Sequence, residues 1–266
     1  VAGWNLLGVM KVNEKVINID DLLISSCFID DLDLAKSHFD YRGPFSKELG
    51  RALAAEFDLN VLKACIHHVR ENTSDSDPFV GGAFKDINAD FGLGSGSDKP
   101  EDIESAELIA AIFKASQILD EKYIPEDDRY VFVTPRDYYK LVQDTAAPGT
   151  GTAILHRDYG NDGNGNTKDG FVLKCAGMRV VKTPHLPKTD TRRAGSGGAE
   201  FQWDGENNNY QHDYQKLICL CMHPEAVGTV KLKDITMEQD YIIERQGNLM
   251  VAKMAVGHGG LRADAA

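Results

Sequence analysis

The sequence predicts an α+β fold, with helices and strands mixed along one chain of 266 residues. Three observations predict it. A single apolar stripe runs at three- and four-residue steps through SKELGRALAAEFDLNVLKACIHHVREN, which makes one very long helix. Apolar and polar residues alternate through GTVKLKDITMEQDYIIERQGNLMVAKMAVG, which makes long antiparallel strands. Between them, short β-like runs such as YVFV and KLICLCM are interleaved with helical segments.

Residues 11–28 read as extended structure, with Val12, Val16, Ile17 and Ile19 ahead of an apolar cluster and a turn at Asp20 and Asp21. A short helical turn follows in IDDLDLAKSHFD. Gly43 and Pro44 then punctuate the chain, and Ser46 is the expected N-cap of the long helix. Its stripe is Leu49, Ala52, Leu53, Leu62, Cys65, Ile66 and Val69, a length that suits a strut better than a helix sunk in a small core. Residues 73–100 turn to Ser, Asp and Gly, a long loop or crossing. A second helix is expected at about 101–123, capped by Asp98 and Glu101, with Ile109, Ala110 and Phe113 on one face. Strand YVFV follows, and Thr134 and Pro135 open the helix PRDYYKLVQD. Two strands in GFVLKCAGMRVVKTPHLP turn at Ala176 and Gly177, and residues 188–215 form a polar, exposed stretch. The last pair of strands turns at Gln246, Gly247 and Asn248.

Composition narrows the function. Lys plus Arg is 29 against 41 for Asp plus Glu, a net charge of 29 − 41 = −12, which argues against nucleic-acid binding by phosphate neutralisation unless a preceding segment supplies cations. The chain opens on Val1 rather than Met, so such a segment is expected. The cysteines (Cys27, Cys65, Cys175, Cys219 and Cys221) are odd in number and show no CxxC spacing, which favours a reducing compartment over a disulfide framework. Cys219 and Cys221 fall on one face of a strand and read as small apolar residues. No run is long and apolar enough to span a membrane, and no signal peptide is visible.

Few stretches offer chemistry. Gly257, His258, Gly259 and Gly260 look like part of an oxyanion hole, but a G-x-S-x-G nucleophile elbow is missing: GLGSGSD and RAGSGGA lack the spacing. A phosphate-cradling G-x-x-x-x-G-K-[ST] is absent. His67 and His68 lack the i, i+4 spacing of a zincin and read as helix-surface or interface residues. Asp158, Asp162, Gly163 and Asp169 fall on positions of a calcium loop, yet Gly160 and the final Asp depart from it, so a solvated turn is preferred. Asp30 with Asp31 and Asp127 with Asp128 read as solvated surface.

Six stretches, EKVINIDDLL, DLAKSHFDYR leading into SKELGRALA, KYIPEDDRYVF, GMRVVKTPHL, MHPEAVGTVKL and AKMAVGHGGLRADAA, occur in one order. Together they resemble the major capsid proteins of short-tailed phages of the T-seven type, the autographivirus group, from about residue 11 to 266 and most weakly at 73–100 and 188–215. The resemblance implies the tailed-phage (HK-ninety-seven-like) capsid fold. Residues 1–26 would be the returning part of the E-loop, 27–75 the P-domain with its spine helix, 76–228 the A-domain, and 229–266 the P-domain return strands. The family's N-terminal arm and outgoing E-loop strand have no counterpart in this chain.

The same resemblance implies a structural subunit of an icosahedral head, assembling as hexamers and pentamers around double-stranded DNA without sequence-specific binding. It implies a scaffolding protein and a portal as partners, assembly in the bacterial host cytoplasm, no enzymatic activity, no cofactor and no membrane. An encapsulin-type nanocompartment shell is the alternative within the fold, and a hydrolase using His258 the alternative outside it. Gly257, Gly259 and Gly260 are then structural glycines at the end of a long strand, where the backbone bends or meets a neighbour closely. On this reading Gly259→Val or Gly260→Val impairs folding or assembly, and His258→Gln is mild.

Overall fold

The computed structural model describes residues 14–20, 22–37, 42–71, 105–143, 174–189, 210, 214–215 and 217–266. The candidate calcium stretch at 158–169, both serine motifs, the Asp98 and Glu101 cap and almost all of the loop and polar stretches at 73–100 and 188–215 lie outside these residues.

Helix α1 (Asp31–Lys36) is short, and the Asp30 side chain caps it by accepting the Leu32 N–H at 3.0 Å. Asp30 is therefore a cap, not merely solvated surface; Asp31 and Asp33 in the first turn and Lys36 in the last suit the helix dipole. Helix α2 (Arg42–Glu71) has 30 residues, about 45 Å at 1.5 Å per residue. It begins four residues before the expected N-cap Ser46. Gly43 and Pro44 lie inside its first turn, where the N–H that proline lacks has no helical partner in any case. Ala52 is exposed, so the buried stripe of this half is Leu49 and Leu53, with Phe57 partly buried beside them.

The first sheet consists of β1 (Leu23–Asp30), β6 (Val227–Ile242) and β7 (Gly247–Gly260), in the order β1-β7-β6, all antiparallel. Period-two alternation sends Met250, Ala252, Met254 and Val256 of β7 to one face, where they meet Ile29, Leu49 and Leu53. Helix α2 thus closes one face of this sheet. The turn between β6 and β7 is a 3-10 turn at Ile243–Arg245 followed by Gln246 at φ 50°, so Gly247 already belongs to the strand and not to the turn.

The second sheet joins β2 (Tyr130–Val133), β3 (Lys174–Cys175), β4 (Met178–Lys182) and β5 (Cys219–Met222) in the order β3-β4-β2-β5. β4 runs parallel and β5 antiparallel to β2. Ala176 and Gly177 turn β3 into β4 with positive φ at both, the hairpin geometry that glycine favours. Helices α3 (Ser105–Glu121) and α4 (Pro135–Gln143) pack into the same core through Leu108, Ile112, Tyr138 and Leu141. Ile109 of the expected face is buried but Phe113 is exposed, and the buried face of α3 runs through Leu108, Ile109, Ile112 and Leu119. Cys219 and Cys221 share one face of β5, in register with the fully buried Val133 and Val131, and pack against the core as small apolar residues. All five cysteines are free; burial pushes the Cys65 thiol up to about 12 and the Cys175 thiol up to about 11.

Helix α2 links the two bodies. Its first half lies on the first sheet, while Leu62, Cys65 and Ile66 in its second half enter the core of the second. A second link is made by the chain after β7. The His223 N–H donates to the Ala265 carbonyl at 2.9 Å, Leu261 N–H to Ala226 at 2.9 Å, and Arg262 pairs with Glu225 at 2.7 Å. Among the described residues no helix is long and apolar enough to cross a membrane, and no group of three metal-ligating side chains comes together.

Candidate assembly interface

The last turn of β7 carries the glycines singled out in the sequence. Alternation sends Gly257 and Gly259 to one face and His258 and Gly260 to the other. On the first face, residues 17–19 cross directly over the strand. A Cβ at Gly257 would overlap the Asn18 carbonyl oxygen, and one at Gly259 would lie 2.8 Å from Ile17 Cγ1. Gly259 stands in register with Gly228 of β6, where a Cβ would lie 3.0 Å from Ile17 Cδ1. The paired glycines leave a notch that Ile17 fills. Backbone and side chain then tie the crossing segment down: Asp20 N–H donates to the Val256 carbonyl at 3.0 Å, and the Tyr210 hydroxyl donates to Asp20 at 2.5 Å. On the second face, a Cβ at Gly260 would overlap the His68 ring of α2. Four glycines therefore let three segments pass at near-backbone distance.

His258 does not lie in an accessible loop. It is 1% exposed, with Nδ1 3.0 Å from the hydroxyl of Thr229, its register partner on β6, and its ring edge-on to Phe57 at 4.7 Å between centroids. Burial holds its pKa below the usual histidine value. Its Nε2 has no hydrogen-bond partner among the described residues. An oxyanion hole needs N–H groups open to substrate; here the backbone is paired to β6 and both faces are covered. His67 and His68 are half-buried on α2, with the His68 ring against β7.

The exposed surface of the first body is unusually apolar. β6 is an edge strand of 16 residues. It presents Leu232 at 72% and Ile235 at 53% exposure, with Val230, Met237 and Tyr241 also exposed and Ile243 exposed in the turn that follows. The sheet face away from α2 adds Ile24 and Phe28. A long apolar edge left to water templates association unless a partner covers it. Two register shifts between Lys231 and Thr236 bend β6 and interrupt its ladder.

Comparison with known proteins decides what this surface belongs to. Residues 1–266 match the family model of Gp10A-like major capsid proteins over their whole length. The chain belongs to that family. This capsid protein is 31% identical to the major capsid protein of Escherichia phage T7 over 97% of its own length and 73% of the relative's. It is 29% identical to that of Enterobacteria phage T3, over 97% and 73%. Among solved structures it is similar to the capsid of Cyanophage P-SCSP1u, with 35% identity, a TM-score of 0.72 and coverage of 100% of this chain and 78% of that one. Its fold is the tailed-phage capsid fold, and it is a subunit of a phage head shell. The sequence singled out the glycines of β7 but missed Gly228, Ile17 and Thr229. For Gly228 a signal was present, because it opens the first of the alternating C-terminal runs; for Ile17 and Thr229 only the register reveals the contact.

Proposed function

We propose that this capsid protein assembles as hexamers and pentamers into an icosahedral head that encloses double-stranded DNA without reading its sequence, in the bacterial host cytoplasm and with a scaffolding protein and a portal as partners. The role is structural, with no catalytic step. One observation carries the reading: the first body exposes Leu232 and Ile235 on its 16-residue edge strand and Ile24 and Phe28 on the open sheet face beside it, a surface suited to burial against neighbouring subunits. The net charge of −12 supports a wall that repels the phosphate backbone and lets packaged DNA slide.

The domain reading follows the two sheets. Residues 27–75 and 229–266 supply α2, nearly all of β6, β7 and half of β1, and form the P-domain; residues 76–228 hold α3, α4 and the second sheet, and form the A-domain. Residues 1–26 are the returning part of the E-loop, whose last residues are already paired in β1. Gly257, Gly259 and Gly260 are the structural glycines of the joint, fixing where that returning segment crosses β7.

Negative-stain microscopy of the purified full chain tests the proposal. Closed shells or capsomers are expected. A stable monomer that forms neither overturns it, and particles from infected cells that hold protein cargo in place of DNA favour the nanocompartment alternative.

A further inference from the structure

We propose that the outer edge of β6 is a self-complementary contact, meeting the β6 edge of a second copy antiparallel across a local two-fold axis near Ile235 and Thr236, with Lys233 of each copy opposite Glu238 of the other. This rests on the shell reading and names one of its contacts.

The register supplies the argument. Lys233 stands opposite Ala255 of β7 and Glu238 opposite Val251, so both side chains leave the same face of the sheet despite the shifts between them. In an antiparallel pair, directly opposed residues share a face. Turning a copy about the point midway between Lys233 and Glu238 brings each cation to the other copy's carboxylate, twice, on the same face. The same operation places Leu232 and Ile235, both exposed in the single chain, near the axis. An isologous contact of this kind closes on itself. Among the described residues Lys233 makes no close ion pair within its own chain, though its charge acts on Glu238 there, and Glu238 uses one carboxylate oxygen on Lys253 at 2.5 Å. Lys231, one turn of the pleat away, is held by Asp234 at 3.3 Å.

The bulges decide the manner of contact. An unbroken edge of 16 residues would accept almost any strand. The shifts between Lys231 and Thr236 interrupt the ladder near the proposed axis, so side-chain charge and apolar contact must select the partner there. Residues 1–13 of a neighbouring copy are another candidate occupant, but Lys11 is their one charged side chain. They cannot answer both a lysine and a glutamate.

The test uses the full chain assembled into shells. Lys233→Glu and Glu238→Lys should each lower shell yield by roughly tenfold by placing like charges together, and the double variant carrying both changes should restore it. Independently, shells of the Lys233→Cys and Glu238→Cys double variant are oxidised and run on a non-reducing gel. Dimers whose linked peptides join residue 233 of one copy to residue 238 of another are expected. Wild-type shells with normal yield from both single reversals, a double variant no better than the singles, or cross-links that map to residues 1–13 or to a different protein would each overturn the contact while leaving the shell reading standing. A wild-type chain that forms no shells defeats the shell reading itself.

Discussion

The two bodies bury apolar surface in opposite ways. The four-stranded sheet is enclosed: α3, α4 and the second half of α2 surround Ile112, Val131, Val133 and Met178, all with no exposure. The three-stranded sheet is half-built. Helix α2 seals one face through Leu49 and Leu53, while β6 keeps its edge and its apolar side chains in solvent. One body is enclosed by its own chain; the other leaves apolar surface that neighbouring subunits can cover. The difference predicts which substitutions damage folding and which damage assembly.

The largest effect belongs to the enclosed core. Ile112→Ala should cost about 2–5 kcal/mol in urea unfolding of the unassembled chain, with loss of shells following from loss of fold. A change below 1 kcal/mol would show that this core is looser than its burial indicates. Next comes the glycine joint between the bodies. Gly260→Val and Gly257→Val force a side chain onto His68 and Asn18, and each should cost about 1–3 kcal/mol and cut assembly. Gly50→Ala in α2, where a Cβ meets nothing within 4 Å, should stabilise by up to about 1 kcal/mol and serves as the control.

His258 sharpens the comparison through pH. Its pKa is lowered in the fold, so between the folded and unfolded values the unfolded chain binds more protons. Its contribution is intact above about pH 6.5 and is lost as the pH falls through the folded value, with a slope of at most about 1.4 kcal/mol per pH unit. The urea midpoint of wild type should fall with acid over this window, and His258→Phe should flatten that part of the profile; an unchanged profile would place the acid sensitivity elsewhere. His258→Gln keeps a polar atom for the Thr229 hydroxyl and, like the histidine, leaves one terminus without a bond, so it should cost less than the glycine variants. The smallest folding effect belongs to the open edge. Leu232→Ser should change monomer stability by less than about 0.5 kcal/mol, yet reduce shell yield measured by sedimentation.

Much of this was legible in the sequence because the signals were long. The stripe from Leu49 to Val69 and the alternation from Val230 to Val256 each persist over many residues, so α2 and the β6–β7 hairpin were readable from periodicity alone. Short-range signals misled where tertiary context overrode them. Gly43 and Pro44 resemble a stop but fit a first helical turn, and Gly247 resembles a turn residue while Gln246 takes the left-handed position. Phe113 fits a helical face by spacing, yet the four-stranded sheet is covered by the adjacent face through Leu108 and Ile112. The candidate site was half legible: glycines announce close approach without naming what approaches. Ile17 and His68 lie far from Gly259 and Gly260 in sequence, and only the folded chain brings them there.

The placing of β7 at the centre of the first sheet has a consequence for synthesis. Its two neighbours are β1, made early, and β6, made late, and the whole second body is translated between them. β1 must therefore wait on the ribosome without its partner, while the enclosed body can fold as it emerges. The first sheet cannot close until Gly260 has been added, and Ala265 must follow before His223 gains its backbone acceptor. A chain cut before β7 would lack the strand on which α2 and β1 converge, and with Ala265 it would lose a buried residue of the second body as well.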